Sequence, residues 1–337
     1  MKRHIAGFLA GVMMLTGVLG QSMLVSAADT TDDTKAVMDS REDNEEFTDN
    51  SFDISTLYTK SARGTYTLRT GIDVSKWQGT IDWAAVKAAG VNFAFIRVGG
   101  RNSSGTLFSD PTYQTNLYGA LNAGLNVGVY FFSSAINTAE AVEEANYVNS
   151  LISGYSFNLP VCFDYESYSR INNAGLDKAT TTAIASAFCD TIQASGRVAC
   201  VYTSKSWLYN KMDGTTLAQK YKVWMANYTN LDSSKNQISM SLSDTPPASN
   251  YTGVYDFWQY SSRGSVSGIS GNVDLDYWYD DGTVSSSTNY SLVFDADYYY
   301  NKYSDLQSAI GYDPGALFKH FLNCGMKEGR QAKSTFN

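Results

Sequence analysis

From Gly71 onward, two apolar rhythms take turns along the chain. Short β-rich runs, "GIDVSKW", "NFAFIRVG", "NVGVYFF", "PVCFDYE" and "VACVYTS", alternate with helix-like segments such as "DWAAVKAAG", "DPTYQTNLYGALNAG" and "TAEAVEEANYVNSLISG". Strands interleaved with helices predict a parallel sheet built from βα units. After a short helical piece near residues 206–212 the rhythm breaks. Three further strand candidates, "YKVWMANY", "VYDFWQYSS" and "NVDLDYWY", follow with Ser-, Asn-, Pro- and Gly-rich joints and no clear helix between them. The fold class is therefore α/β. Eight strand candidates within roughly 210 residues suit a closed, TIM-like barrel whose last helices are missing.

The flanks read differently. Residues 1–28 place Lys2 and Arg3 before an apolar stretch and end on Ser26, Ala27 and Ala28, the pattern of a secretory signal cut after Ala27 or Ala28. Apolar residues continue to Val25, so an uncleaved anchor is the alternative. Residues 29–69 are acidic without apolar periodicity and are expected to be a disordered linker. The barrel is expected over residues 70–283. Residues 290–337 predict two or three short amphipathic helices with a stop at Gly325. This segment resembles small C-terminal modules of secreted bacterial surface and wall proteins, which implies either wall attachment or a stabilising appendage. So short a segment has a thin core of its own and is expected to dock on the barrel or on a partner.

Composition removes several function classes. With 337 residues, 43% of them hydrophobic, the chain can bury a sizeable core. Its net charge of -8 argues against nucleic acid as a partner. The cysteines, Cys162, Cys189, Cys200 and Cys324, match no zinc spacing, and Cys162 and Cys200 read as buried thiols in core strands. The only histidines are His4 and His320. The long middle region therefore lacks the imidazole of a Ser-His-Asp triad, a Cys-His nucleophile or a His-bound zinc. Its acid–base chemistry falls to carboxylates or tyrosines.

Carboxylates are well placed for it in "PVCFDYESYSR", residues 160–170. Asp164 and Glu166 close an apolar strand, and residues two apart share a face with Cα atoms about 6.6 Å apart. Active sites of βα barrels lie at the C-terminal ends of the strands. Asp164 and Glu166 belong there, Asp274 on the eighth strand candidate joins them, and Asp73 lies in the first strand, beside the eighth in a closed barrel. Glycosidic bonds are cleaved by a protonated carboxyl near the leaving oxygen and a negative group facing an oxocarbenium-like centre. Repulsion and burial can hold one of several clustered acids protonated. A bland reading makes these acids helix caps or partners of Arg97, Arg101 or Arg170. A carboxylate metal site is the sharper rival; no metal or cofactor is expected.

The runs "GIDVSKWQGTIDWAAVKAAGVNFAFIRVGG", "VGVYFF", "FDYE", "VWMANY" and "DFWQYSSRGSVSGISGNVDLDYW" resemble the lysozymes of glycoside hydrolase family 25, the Chalaropsis-type muramidases, over residues 71–281. The resemblance implies five βα units followed by three strands. It also implies cleavage of the β-1,4 bond between N-acetylmuramic acid and N-acetylglucosamine in peptidoglycan glycan strands, by a secreted or wall-associated monomer. By position, Glu166 resembles the general acid, Asp164 its companion, and Asp73 and Asp274 the carboxylates of the first and last strands. Substrate contacts are expected from Tyr130, Tyr165, Trp224, Tyr228, Trp258 and Tyr260, whose rings suit sugar faces, with Arg97, Asn227 and Gln259 as polar contacts. Two departures from the common family pattern, "IRVGGR" and "YFF", bear on subsite preference. The opposing class is a glycan-binding barrel without catalysis.

Overall fold

The computed structural model describes residues 66–153, 155, 158–228, 238–239, 249–282, 294–312 and 314–333. The expected signal segment and nearly all of the expected linker lie outside these residues. The strands, in chain order, are β1 (Thr67–Val74), β2 (Phe93–Arg101), β3 (Leu107–Ser109), β4 (Asn126–Phe132), β5 (Val161–Asp164), β6 (Ala199–Ser204), β7 (Lys222–Ala226), β8 (Ile238–Ser239), β9 (Phe257–Ser265) and β10 (Val273–Asp280).

Eight of them close into a barrel in the order β1-β2-β4-β5-β6-β7-β9-β10, and β10 returns to β1. Neighbours from β1 through β9 are parallel, whereas β10 is antiparallel to both β9 and β1. The short β3 and β8 hang off β2 and β9. Helices follow β1, β2, β4, β5 and β6 and are absent, among the described residues, after β7 and β9. This is the βα rhythm and its break, as read from the apolar pattern. One boundary moves: Thr67, Leu68 and Arg69, assigned to the linker, pair with Asp280, Tyr279 and Trp278 and belong to β1.

Local sequence explains where the helices begin. Asp82, Asn137, Asp177, Ser204 and Asp213 each accept a backbone N–H from the first turn of the helix that follows. Each such cap contributes about 1 kcal/mol. The longest described helix, Lys178–Ala194, buries Thr181, Ile184, Ala185, Phe188, Cys189 and Ile192, an i, i+3, i+4 stripe facing the barrel.

Strand alternation divides the core in two. Ile72, Ala94, Ile96, Val127, Val129, Phe131, Phe163 and Val201 point outward to the helices, while Phe93, Phe95, Tyr130, Cys162, Cys200, Tyr202, Trp224, Phe257 and Trp278 fill the barrel. Cys162, Cys189 and Cys200 are buried free thiols. The filled lower barrel leaves only its upper end for polar side chains.

After the barrel come helices Ala296–Lys302, Ser304–Ala309 and Pro314–His320, the last running into a π-turn over Phe321–Gly325. Phe294, Tyr299, Phe318 and Phe321 form an aromatic cluster. Phe318 and Phe321 also pack on Tyr118 of helix Tyr113–Asn122, with ring centroids 6.1 and 5.2 Å away. The segment thus shares one continuous apolar core with the barrel. No described helix is long and apolar enough to cross a membrane.

Candidate active site

The C-terminal ends of the parallel strands carry the acids. On β5 the interior positions are Cys162 and Asp164. The strand ends at Asp164, but Tyr165 N still donates to Tyr202 O at 3.0 Å, so the extended backbone continues past it. Alternation then sends Tyr165 outward, against Phe163 and Trp207. Asp73 stands one residue from the end of β1 and is the register partner of Asp274. Asp274 reaches this mouth by a different route from the one expected: β10 runs backwards, so Asp274 comes from the start of its strand. All four acids are buried.

Gln259 of β9 ties two of them, Asp73 and Asp274, together. Its amide nitrogen donates to Asp73 Oδ2 at 2.7 Å and to Asp274 Oδ2 at 3.2 Å. Its carbonyl oxygen accepts the hydroxyls of Tyr202 (2.7 Å) and Tyr228 (3.1 Å). Below this layer lies Asp276, two residues along β10 and wholly enclosed. Its Oδ1 accepts the indole N–H of Trp224 at 2.8 Å. Trp224 is the floor, flanked by Phe95, Tyr130 and Tyr202. Burial pushes the Asp276 carboxyl well up, the Asp73 charge adds to this, and the Trp224 hydrogen bond opposes it.

Ion pairs, two of them buried, brace the surrounding loops. Arg101 binds Glu143 and Glu144, each at 2.7 Å, and also the Gly105 carbonyl, joining the loop after β2 to helix Thr138–Leu151. Ser133, just past β4, donates to the other Glu144 oxygen at 2.6 Å. Burial pushes the Glu144 carboxyl up to about 7, against the pull of Ser133 and Arg101. Arg170 binds Glu140 and the Ser134 carbonyl, and the Tyr165 hydroxyl donates to Ala135 O, so the segment bearing Glu166 is fastened to the loop after β4. Arg97 pairs with Asp110 at 2.8 Å. The three arginines are thus committed to Asp110, Glu143, Glu144 and Glu140, and the bland pairing with the mouth acids does not occur. Among the described residues no group of three or more His, Cys, Asp or Glu side chains is arranged to hold a metal ion.

Several expected sugar contacts are placed elsewhere. Trp258 and Tyr260 flank Gln259, so alternation turns them outward; Trp258 donates to Asn227 O at 2.8 Å and Tyr260 stacks on Tyr277. Tyr165 is outward for the same reason. Asn227 is consumed by Ser249 and Asn250, and Arg97 by Asp110. Tyr130, Trp224, Tyr228 and Gln259 do face the mouth or its floor. A cavity of about 340 Å³, lined by Tyr155, Asn158, Arg197 and their neighbours, opens at the opposite end of β5 and β6 and holds none of the acids.

Two residues at or beneath the mouth escaped the sequence reading. Asp276 is one. The other is Trp77, in the turn after β1, 40% exposed. A capping box between Ser75 and Gln78 fixes this turn. Lys76 N donates to Asp110 Oδ2 at 3.0 Å, and Gln78 Nε2 reaches Asn272 O, next to β10, at 3.4 Å. The Lys76 ammonium lies 4.9 Å from the Trp77 ring centre. An aromatic ring held on a braced turn at the acids' end of the barrel was signalled only by its place in "DVSKWQG".

The family model for glycosyl hydrolases family 25 matches residues 72–269, more than half of the chain. Lysozyme M1 of Streptomyces globisporus is 32% identical over 211 residues, covering 60% of this chain and 65% of that one. The autolytic lysozyme of Clostridium acetobutylicum is 31% identical over 206 residues, covering 61% and 54%. The chain thus spans less than two thirds of the length of either relative. Among solved structures, the modular autolysin LytC of Streptococcus pneumoniae superposes with a TM-score of 0.50 at 26% identity, over 63% of this chain and 47% of that one. With the matched segment starting in β1 and carrying Asp73, Asp164 and Glu166 into one barrel mouth, this chain belongs to glycosyl hydrolase family 25.

Proposed function

We propose that the protein is an active muramidase, a peptidoglycan hydrolase that cuts the β-1,4 bond between N-acetylmuramic acid and N-acetylglucosamine. The observation that carries this reading is the gathering of Asp73, Asp164, Glu166 and Asp274 at one end of a barrel whose opposite end is filled mainly by aromatic and apolar side chains. The relatives' names, lysozyme and autolytic lysozyme, support it.

In the proposed reaction Glu166 gives its proton to the glycosidic oxygen as the C1–O bond breaks, and the leaving sugar departs as an alcohol. The substrate's 2-acetamido oxygen closes on C1, and Asp164 orients that amide and balances the positive charge developing on the ring. Water then opens the bicyclic intermediate and Glu166 takes the proton back, retaining configuration. An attack on C1 by Asp164 itself is the direct form of the same double displacement. Asp73, Asp274 and Gln259 hold the mouth in shape, and Trp77 offers a flat face to a sugar ring. Residues 1–28 direct export, residues 67–283 form the catalytic unit, and residues 290–337 form the appended module.

Purified peptidoglycan digested with the protein and then reduced with borohydride should carry label on muramic acid. Glu166→Gln should lower the rate by at least about 100-fold with an unchanged melting temperature. Label on glucosamine, or a folded Glu166→Gln protein at the wild-type rate, overturns the assignment; binding to walls without release of reducing ends would mark a glycan-binding barrel instead.

A further inference from the structure

The proposed reaction draws on the acids at the rim and leaves Asp276 without a task. Its surroundings are unusual for a carboxylate. It is wholly enclosed, and its neighbours on the same face of β10 are Asp274 above and Trp278 below. Oδ1 accepts the Trp224 indole N–H at 2.8 Å. Oδ2 meets no N–H or O–H donor. Asp73 pairs in register with Asp274, so across the β1–β10 seam its carboxyl is the diagonal same-face neighbour of Asp276, and the two carboxyls interact. Asp73, in turn, accepts from Gln259 at 2.7 Å.

Two carboxyl groups can share a hydrogen bond only when one of them carries a proton. Asp73 has a donor in Gln259, which suits the ionised form. Asp276 is the deeper of the two, and burial disfavours its charge. Beside Asp276 stand the Asp73 carboxyl from β1, the Asp274 carboxyl on its own strand and the Trp224 indole from β7, and the Tyr260 phenol of β9 feels its charge. None of the leading influences on it is a cation.

We propose that Asp276 is a positioning residue that stays protonated in the working enzyme and donates its proton in a hydrogen bond to Asp73. Asp73 thereby keeps its charge and its orientation between two donors, Gln259 above and Asp276 below. The inference deepens the muramidase reading for the rate measurement below, but its structural part stands apart from activity.

Asp276→Asn keeps an acceptor for Trp224 and supplies a neutral N–H donor to Asp73; Asp276→Leu removes both. Infrared spectra of protein with isotope-labelled aspartate test the proton directly. A protonated-carboxyl band should persist at pH 7 in the wild type and be missing from Asp276→Asn. Thermal melts supply the second readout. A raised carboxyl pKa in the folded state means that the folded protein binds the proton more tightly than the unfolded chain. The wild type therefore loses stability relative to Asp276→Asn as pH rises from the ordinary value of 3.8 towards the folded-state pKa. The melting temperature of Asp276→Asn minus that of the wild type should rise over that range. In wall hydrolysis Asp276→Asn should keep its activity on the alkaline side, where the wild type declines, and Asp276→Leu should lose roughly 10-fold or more through misplacement of Asp73. No protonated band at pH 7, or a melting temperature of Asp276→Asn minus wild type that stays constant or falls with rising pH, overturns the proposal even if the enzyme is active. An inactive wild type with the band present would instead overturn the muramidase reading alone.

Discussion

Replacing Gln259 by leucine tests the mouth network at its centre. The side chain makes four hydrogen bonds, to Asp73 (2.7 Å), Asp274 (3.2 Å), Tyr202 (2.7 Å) and Tyr228 (3.1 Å), and is fully buried. Bonds to carboxylates contribute about 1.5–3 kcal/mol each and neutral ones about 0.5–1.5. Members of one network do not add independently, and leucine fills most of the vacated volume, so the net loss should be about 3 kcal/mol. For a domain of this size that lowers the melting temperature by roughly 6–12 °C. Activity should fall up to about 100-fold, because two acids lose the donor that holds them. Gln259→Glu, identical in shape, sets a further carboxyl against Asp73 and Asp274; its rate should recover as pH falls and the introduced carboxyl protonates. Scanning calorimetry and turbidity loss of purified walls across pH are the assays. A Gln259→Leu protein melting within about 2 °C of wild type with unchanged turnover would refute the network's role.

Two further outcomes follow from the rim and from the appended helices. Trp77→Ala should raise KM for wall fragments by about 10-fold, consistent with loss of one ring–sugar contact, and leave the melting temperature near wild type because the ring is 40% exposed; an unchanged KM removes Trp77 from the substrate surface. A chain ending at Ser287 uncovers Tyr118, which packs on Phe318 and Phe321. It should melt several degrees lower yet cleave small soluble glycans at the full-length rate. If the segment also serves wall attachment, cleavage of insoluble walls should slow in addition; equal rates on both substrates leave the helices a structural role only.

What could be read from the chain followed the range of each signal. Apolar rhythm is local, so the strands, most helices and the missing late helices were legible. The pairing of Asp164 with Glu166 was legible for the same reason, since a two-residue period needs no knowledge of the rest of the fold. The direction in which each strand faces was harder. Once Gln259 points inward, Trp258 and Tyr260 must point outward, and once Asp164 points inward, so must Tyr165. That parity was available in the sequence, but choosing it requires the barrel's axis, and aromatic character alone suggested sugar contacts instead. Asp276 was hidden because its significance depends on the reversed β10, a long-range property of the seam, and Trp77 because an exposed ring on a turn looks like any other until its anchors to Asp110 and Asn272 are seen.

The meeting of β1 and β10 also has a consequence for how the protein acquires its activity. Gln259 and Asp73 are 186 positions apart in the chain, and Arg69 and Asp280, which clasp the lower end of the same seam, are 211 apart. Contacts of such separation form late and slowly, because the entropy of closing a long loop is lost before the contacts return anything. A nascent chain can complete β2 through β7 with their helices, Asp164 and Glu166 included, while Asp73 at one end of the barrel segment and Gln259 and Asp274 at the other have still to meet. Catalytic competence therefore arrives with the last strand rather than growing with the fold. The same separation makes local opening of the seam, far short of global unfolding, sufficient to take the acids apart. A chain assembled in this way gathers its acids only when its last strand docks.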